Sequence, residues 1–395
     1  MSDAPSRRIL VRGVNWLGDA VMSTPALLRL REAHPRAHLA LLTQAKLAEL
    51  WTHHPAVDQV LTIRPGEGPF ALAKRLRLER FETALILPNS HRSALEAFLA
   101  RIPRRIGHAR AWRNLLLTNR IPPRLEEVEM HKRTPNEVRQ LISNPPSDGL
   151  RAGSADGPCT LPSRAHHLYQ YLHLATALGA KAEPLAPLIA VTEPELDSVR
   201  ARFGSRAAPR APLLGLNAGA EYGPAKRWPQ DRFVTAAVEL QRRLHCHWWV
   251  VGGPADVPLA SAIAAEIGRA GNGGAATATA SATVQCLAGQ LTLRELCAAL
   301  KACDLLLTND TGPMHLAAAV GTTVVVPFGS TSPELTGPGL PGDPRHRFLT
   351  GIPPAACSPC FRRECPIDFR CMHGITVEQV VQAVLEALPL KQAGR

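Results

Sequence analysis

Apolar residues along this chain come in short runs separated by amphipathic stretches. The runs 7–12, 39–43, 57–63 and 83–88 are five to seven residues long and read as buried strands. Between them, 46–53 and 70–81 read as helices, as does the stretch after Asp19 to about His34. Pro25 there suits an early helical position, and Ser90 opens a further helix over 90–100. Regularity fails over 121–163, where proline, glycine, serine and charge predict a long, partly disordered loop. A helix over 164–179, an extended piece over 185–191 and a helix over 193–203 follow, and 204–212 has the composition of a linker.

The second half starts the alternation again. Strands are predicted at 213–217, 247–251, 284–288, 305–307 and 322–326, and helices at 230–244, 256–268, 293–302, 314–320 and 376–388. The segment 271–281 is a low-complexity Gly/Ala/Thr loop. Short strands alternating with helices predict parallel, doubly wound sheets. The fold class is therefore α/β: two facing Rossmann-like domains with parallel sheets and a cleft between them. The boundary is expected at 205/206, giving domains 1–205 and 206–395, the latter with a cysteine-rich tail.

At 395 residues and 45% hydrophobic the chain can bury two cores. No apolar run is long enough to span a membrane, and 1–8 lacks the apolar region of a signal peptide, so a cytosolic location is expected. Nine cysteines, an odd number, fit a reducing compartment. The net charge of +12 points to an anionic partner. Arg101, Arg104, Arg105, Arg110, Arg113 and Arg120 fall within 101–120 without an acid, either as a solvated basic face or as a surface for phosphates. On the second view, removing Arg104 and Arg105 would weaken binding of that partner. Only Trp112 interleaves them, which argues against a base-stacking nucleic-acid surface.

The segment 304–329 reads as strand, tight turn, helix, turn, strand. Its helix would point unpaired N–H groups at the carboxyl edge of a sheet, a place that binds phosphate. Thr311, Gly312 and His315 are placed for phosphates. Asp310 would repel them and is left to cap the helix or to bind sugar hydroxyls. Lys226 and Arg227 lie in a Gly/Pro-rich loop after a strand, which can present N–H groups and a cation to phosphate or simply be solvated. Asp19, where the first strand gives way to a helix, can cap that helix or act as a general base. The first loop is Gly13-x4-Gly18 rather than G-x-G-x-x-G, and no G-x4-G-K-[ST] occurs, which counts against nicotinamide enzymes and P-loop NTPases.

Cys357-x2-Cys360-x4-Cys365-x5-Cys371 could be a zinc knot, but its spacing is not the paired pattern of such sites; a compact loop of reduced thiols is the alternative. Cys159, Cys246, Cys286, Cys297 and Cys303 are scattered and expected to be buried or inert.

Four blocks carry a resemblance. They are 12–25 (RGVNWLGDAVMSTP), 87–95 (LPNSHRSAL), 217–229 (NAGAEYGPAKRWP) and 308–315 (TNDTGPMH). Together they resemble the ADP-heptose–lipopolysaccharide heptosyltransferases, glycosyltransferase family 9, in order and over nearly the whole chain. The tail 357–366 is similar to the subgroup that adds the second inner-core heptose. The resemblance implies a GT-B fold and inverting transfer with no metal and no cofactor, ADP-heptose being a substrate. Asp19 would be the base on the acceptor hydroxyl, and Lys226 would neutralise departing ADP. Asp310, Thr311, Gly312 and His315, with Asn217, Gly219 and Arg227 from the third block, would hold the donor. The acceptor would be a phosphorylated lipid A–Kdo–heptose at the inner face of the cytoplasmic membrane, where the protein would be peripheral, with no nucleic acid as partner. The resemblance assigns no role to His167 and Tyr171 on the predicted helix 164–179. A GT-B transferase for another nucleotide sugar, or a non-catalytic glycolipid binder, are the competing readings.

Overall fold

The computed structural model describes residues 7–145, 164–204, 211–271 and 283–392. Among them the strands form two six-stranded sheets, and the pairings within both are parallel. Two units result: Met1–Glu127 with Ser163–Ala190, and Val128–Pro162 with Val191–Arg395. This differs from a single cut after 205. The helix Glu193–Phe203 packs on the helix Leu293–Ala302, and Glu195 pairs with Arg294 at 2.6 Å, so it goes with the second unit.

The first unit contains β1 (Arg8–Arg12), β2 (His38–Gln44), β3 (Gln59–Ile63), β4 (Thr83–Ile86), β5 (Arg104–His108) and β6 (Asn119–Ile121) in the order β3-β2-β1-β4-β5-β6. β5 and β6 lie inside the arginine-rich stretch, where charge masks the strand pattern. The second unit contains β7 (Leu213–Asn217), β8 (His247–Val250), β9 (Val284–Cys286), β10 (Leu305–Thr308), β11 (Thr323–Pro327) and β12 (Arg347–Leu349) in the order β12-β11-β10-β7-β8-β9. Each sheet thus begins at its centre, grows outward on one side for three strands, and crosses to the other side for the next three. The crossing falls between β1 and β4 in one sheet and between β7 and β10 in the other. Ligands of open parallel sheets bind past the carboxyl ends of the strands at such a crossing. The loops after β1, β7 and β10 are therefore the places to look.

Helices cover the sheets, so the central strands are apolar throughout: Leu305, Leu306 and Leu307 are all fully buried. Helix Gln230–Leu244 has the 3.6-residue pattern and buries Phe233, Ala236, Ala237 and Leu240. Pro25 opens the helix Thr24–Ala33, as its position predicts. The described part of the stretch 121–163, residues 121–145, is more ordered than its composition suggests. Thr134 and Glu137 form a capping box that starts a helix over Pro135–Ser143. Residues 146–163, with Cys159, and 272–282 lie outside the described residues. The piece 185–191 joins neither sheet.

Candidate functional site

In the first unit, the loop after β1 is held from beneath. Arg12, 4% exposed, donates to Glu96 Oε2 at 2.9 Å and to the carbonyl of Gly13. Glu96 also accepts from Arg92 at 3.1 Å. A buried ion pair of this kind adds little net stability, but removing one partner strands the other charge and costs about 3–5 kcal/mol. The loop leads into a helix over Leu17–Met22, whose N-cap position is Trp16. Asp19 is therefore in the first turn and does not cap the helix. Its Oδ1 instead accepts a hydrogen bond from Tyr171 Oη at 3.0 Å, across 152 positions of sequence. His167 Nδ1 lies 3.9 Å from the same oxygen, and the Asp19 side chain keeps 27% exposure.

In the second unit, residues after β7 and β10 converge. Asn217 pairs with Thr308 in the sheet, and its side chain accepts from the N–H of Gly219 at 2.9 Å. A Cβ on Gly219 would lie 2.5 Å from the Asp256 carboxylate, so this position admits only glycine without movement. Asn309, fully buried, donates to the carbonyl of Ala218 at 2.8 Å and accepts from the N–H of Trp228 at 2.9 Å. It staples both ends of the 218–228 loop to the end of β10. Lys226 Nζ then meets Asp310 Oδ2 at 2.6 Å, and Thr331 Oγ1 donates to the same oxygen at 2.6 Å. Asp310 is 4% exposed. It neither caps the helix Gly312–Ala319, whose N-cap is Thr311, nor stands apart from Lys226. Thr311 and Gly312 begin that helix, and His315 is buried one turn in. Arg227 is exposed beside Lys226, on the rim of a cavity of about 260 Å³ whose lining includes Ala218, Trp228, Leu259 and Phe369.

The cysteine tail supports this site. Tyr222 Oη donates to the carbonyl of Phe361 at 2.8 Å, the N–H of Ala225 to the carbonyl of Arg363 at 3.0 Å, and the N–H of Phe361 to the carbonyl of Ser330 at 2.7 Å. The Tyr222 ring lies 5.1 Å from Lys226 Nζ. The tail thus links the Lys226 loop to the loop bearing Thr331. Cys357 and Cys360 are buried against Val138, and burial raises both thiols. Burial, with the neighbouring thiols, pushes Cys371 up to about 12. Among the described residues, no three or more His, Cys, Asp or Glu side chains are grouped to hold a metal ion.

The arginines of 101–120 do not form one face. Arg113 is fully buried and donates to the carbonyls of His108 at 2.6 Å and Pro88 at 2.7 Å. Arg104 donates to the carbonyl of Ala177 at 3.0 Å, and Arg105 to those of Leu116 at 2.8 Å and Ile102 at 2.6 Å. These three satisfy the chain's own backbone, which corrects the expectation that Arg104 and Arg105 are displayed to a partner. Arg101, Arg110 and Arg120 remain exposed.

Sequence reasoning missed Asn309, Thr331 and Tyr222 and left His167 and Tyr171 without a role. Asn309 sits in the TNDTGP block and could have been found there. Thr331 lies four residues beyond β11, and only the fold brings it to Asp310.

Comparison with known proteins fits this geometry. The sequence profile of glycosyltransferase family 9 (heptosyltransferase) matches residues 158–369. The lipopolysaccharide heptosyltransferase 2 of Salmonella typhimurium is 29% identical over 339 residues, covering 84% of this chain and 85% of that protein. The lipooligosaccharide heptosyltransferase 2 of Haemophilus influenzae is 27% identical over 340 residues, covering 84% and 85%. Among solved structures, the ADP-heptose lps heptosyltransferase II of E. coli superposes with a TM-score of 0.72 at 25% identity over 98% of this chain and 99% of that one. A glycosyl transferase family 9 structure from Veillonella parvula gives a TM-score of 0.73 at 21% identity over 97% of each chain, a likeness of fold. The fold class is α/β of the GT-B type, with two Rossmann-like domains.

Proposed function

Because this chain belongs to glycosyltransferase family 9, the heptosyltransferases, we propose that it moves L-glycero-D-manno-heptose from ADP-heptose to the first heptose of the lipopolysaccharide inner core, with inversion at the sugar carbon. The observation that carries this reading is the Lys226–Asp310–Thr331 cluster, at the carboxyl ends of β7 and β10 and next to the start of the helix Gly312–Ala319. It sets a cation, a carboxylate and the positive end of a helix within one short stretch of structure. ADP-heptose offers a pyrophosphate for the first and last and sugar hydroxyls for the carboxylate. Asn217, Gly219 and Asn309 shape the loop around the donor, Arg227 stands at its rim, and the neighbouring cavity can take the nucleobase.

In the reaction, an acceptor hydroxyl oxygen attacks the anomeric carbon as the bond from that carbon to the phosphate oxygen breaks. Asp19 takes the hydroxyl proton, and ADP leaves with the bonding electron pair. Negative charge grows on the pyrophosphate, where Lys226 and the helix start stabilise it, so these groups act mainly in the transition state. These charges come from the chain itself, and the transfer is read as one without metal or cofactor. The acceptor is read as a phosphorylated lipid A–Kdo–heptose, reached at the inner face of the cytoplasmic membrane by a peripheral protein. The +12 charge and the exposed Trp112 and Leu115 among the exposed arginines support that reading.

The test is donor choice together with the base. ADP-heptose should be consumed in preference to UDP- and GDP-sugars, with or without a chelator, and Asp19→Asn should slow transfer by about 10²-fold or more. Preference for another nucleotide would favour a GT-B transferase of different donor specificity.

A further inference from the structure

We propose that Tyr171 is a positioning residue for Asp19: its hydroxyl holds Oδ1 and leaves Oδ2 as the oxygen that takes the proton of the acceptor hydroxyl. This rests on the reading of Asp19 as the base. Tyr171 is 7% exposed, and a buried phenol needs a hydrogen-bond partner. The partner found is Asp19 Oδ1, at 3.0 Å. Burial first, and the adjacent carboxylate second, raise the phenol well above its ordinary value, so it stays protonated and remains a donor.

His167 and Tyr171 are four positions apart at the start of the helix Leu168–Thr176 and share one side of it. His167 Nδ1, 3.9 Å from Oδ1, is too far for a hydrogen bond. Its burial lowers the imidazole, which favours the neutral ring despite the pull of Asp19 and Glu127. A neutral ring walls the carboxylate without quenching its charge. The helix is rigid: Leu168, Leu172, Leu174 and Ala175 are buried, and it packs on the helix Thr24–Ala33. Among the described residues, Asp19 Oδ2 makes no hydrogen bond. A carboxylate fixed through one oxygen on a rigid element presents the other in one direction, as an efficient base requires. In the step itself, the proton moves from the acceptor oxygen to Oδ2 while Oδ1 keeps its bond to Tyr171.

A double-mutant cycle separates positioning from mere packing. Tyr171→Phe removes only the hydroxyl and should lower kcat by about 10-fold while leaving KM for ADP-heptose within about twofold. In an Asp19→Asn background, where there is no basic oxygen to position, Tyr171→Phe should change the residual rate by less than about twofold. If Tyr171→Phe does not accumulate folded, Tyr171→Met removes the same donor in a more adaptable side chain and carries the same cycle. The proposal is overturned by an equal fractional loss in both backgrounds, which would make Tyr171 structural, or by wild-type kcat in Tyr171→Phe. Failure of the underlying reading looks different: Asp19→Asn would itself turn over near the wild-type rate.

Discussion

Lys226 Nζ and Asp310 Oδ2 sit 2.6 Å apart with 14% and 4% of their side chains exposed, and Thr331 closes the same oxygen from another side. The cation assigned to the leaving group is thus paired with a carboxylate. Pairing holds the lysine side chain extended at the end of its loop. Removing one partner should destabilise the domain, because the other is left as an uncompensated charge. Lys226→Met should lower unfolding stability by about 1–3 kcal/mol, and the Lys226→Met/Asp310→Asn double variant should recover most of it. Transfer should remain lost in both. Denaturant unfolding beside an activity assay checks this, and recovery of transfer in the double variant would remove Lys226 from the chemistry.

Asp310 also bears on donor selection. Asp310→Ala should bind free ADP at about wild-type affinity but lose the added affinity for the sugar, about 1–3 kcal/mol for hydrogen bonds to a charged group. Calorimetric titration of ADP and ADP-heptose reads both. Equal losses for the two ligands would mean that Asp310 only holds Lys226, and tighter ADP binding would place it against the phosphates.

The arginine-rich stretch should divide in two. Arg113→Leu removes the buried donor to the carbonyl of His108 and one of the two donors to that of Pro88, and should cost about 1–3 kcal/mol of stability. Replacing the exposed Arg101, Arg110 and Arg120 by serine should leave the thermal midpoint nearly unchanged. It should weaken acceptor binding and flatten its salt dependence without touching donor affinity. An unchanged salt slope in the triple variant would make these charges a solvated surface.

The alternation of strands and helices was legible in the chain, and so was the donor-side loop, because β7, β10 and their loops are local patterns of five to twelve residues. The strand order was not, since pairing β1 with β4 or β7 with β10 leaves no mark in a single sequence. The helix Pro135–Ser143 was legible through Thr134-x-x-Glu137 but was hidden by the prolines around it. The burial of Arg113 could not be read, because a charge in sequence looks solvated until the carbonyls it serves are known. The Tyr171–Asp19 contact joins residues from distant parts of the chain, and no spacing rule reaches that far.

Acid should weaken the fold through buried histidines. Burial lowers His54, His108 and His346 from 6.5 to about 4 in the native protein. The unfolded chain therefore binds more protons between those values. Stability is fully present above the unfolded value and falls as the pH drops from about 6.5 toward 4, by up to about 1.4 kcal/mol per unit for each ring. His54 Nδ1 accepts from the N–H of Ala56 at 3.2 Å, an acceptor that asparagine can supply. His54→Asn should make the decline between pH 6.5 and 4 shallower by about one such increment, as read from urea midpoints. A decline of unchanged steepness would mean that this ring does not carry the loss.

The central claim is that this chain transfers heptose from an ADP donor, and mass spectrometry of the acceptor tests it most directly. Purified protein is incubated with ADP-heptose and an inner core bearing only its first heptose. The account predicts that the acceptor gains the mass of one heptose and that one ADP is released for each transfer, with both lost in Asp19→Asn. An unmodified acceptor with intact ADP-heptose, in the presence of folded protein, would contradict it.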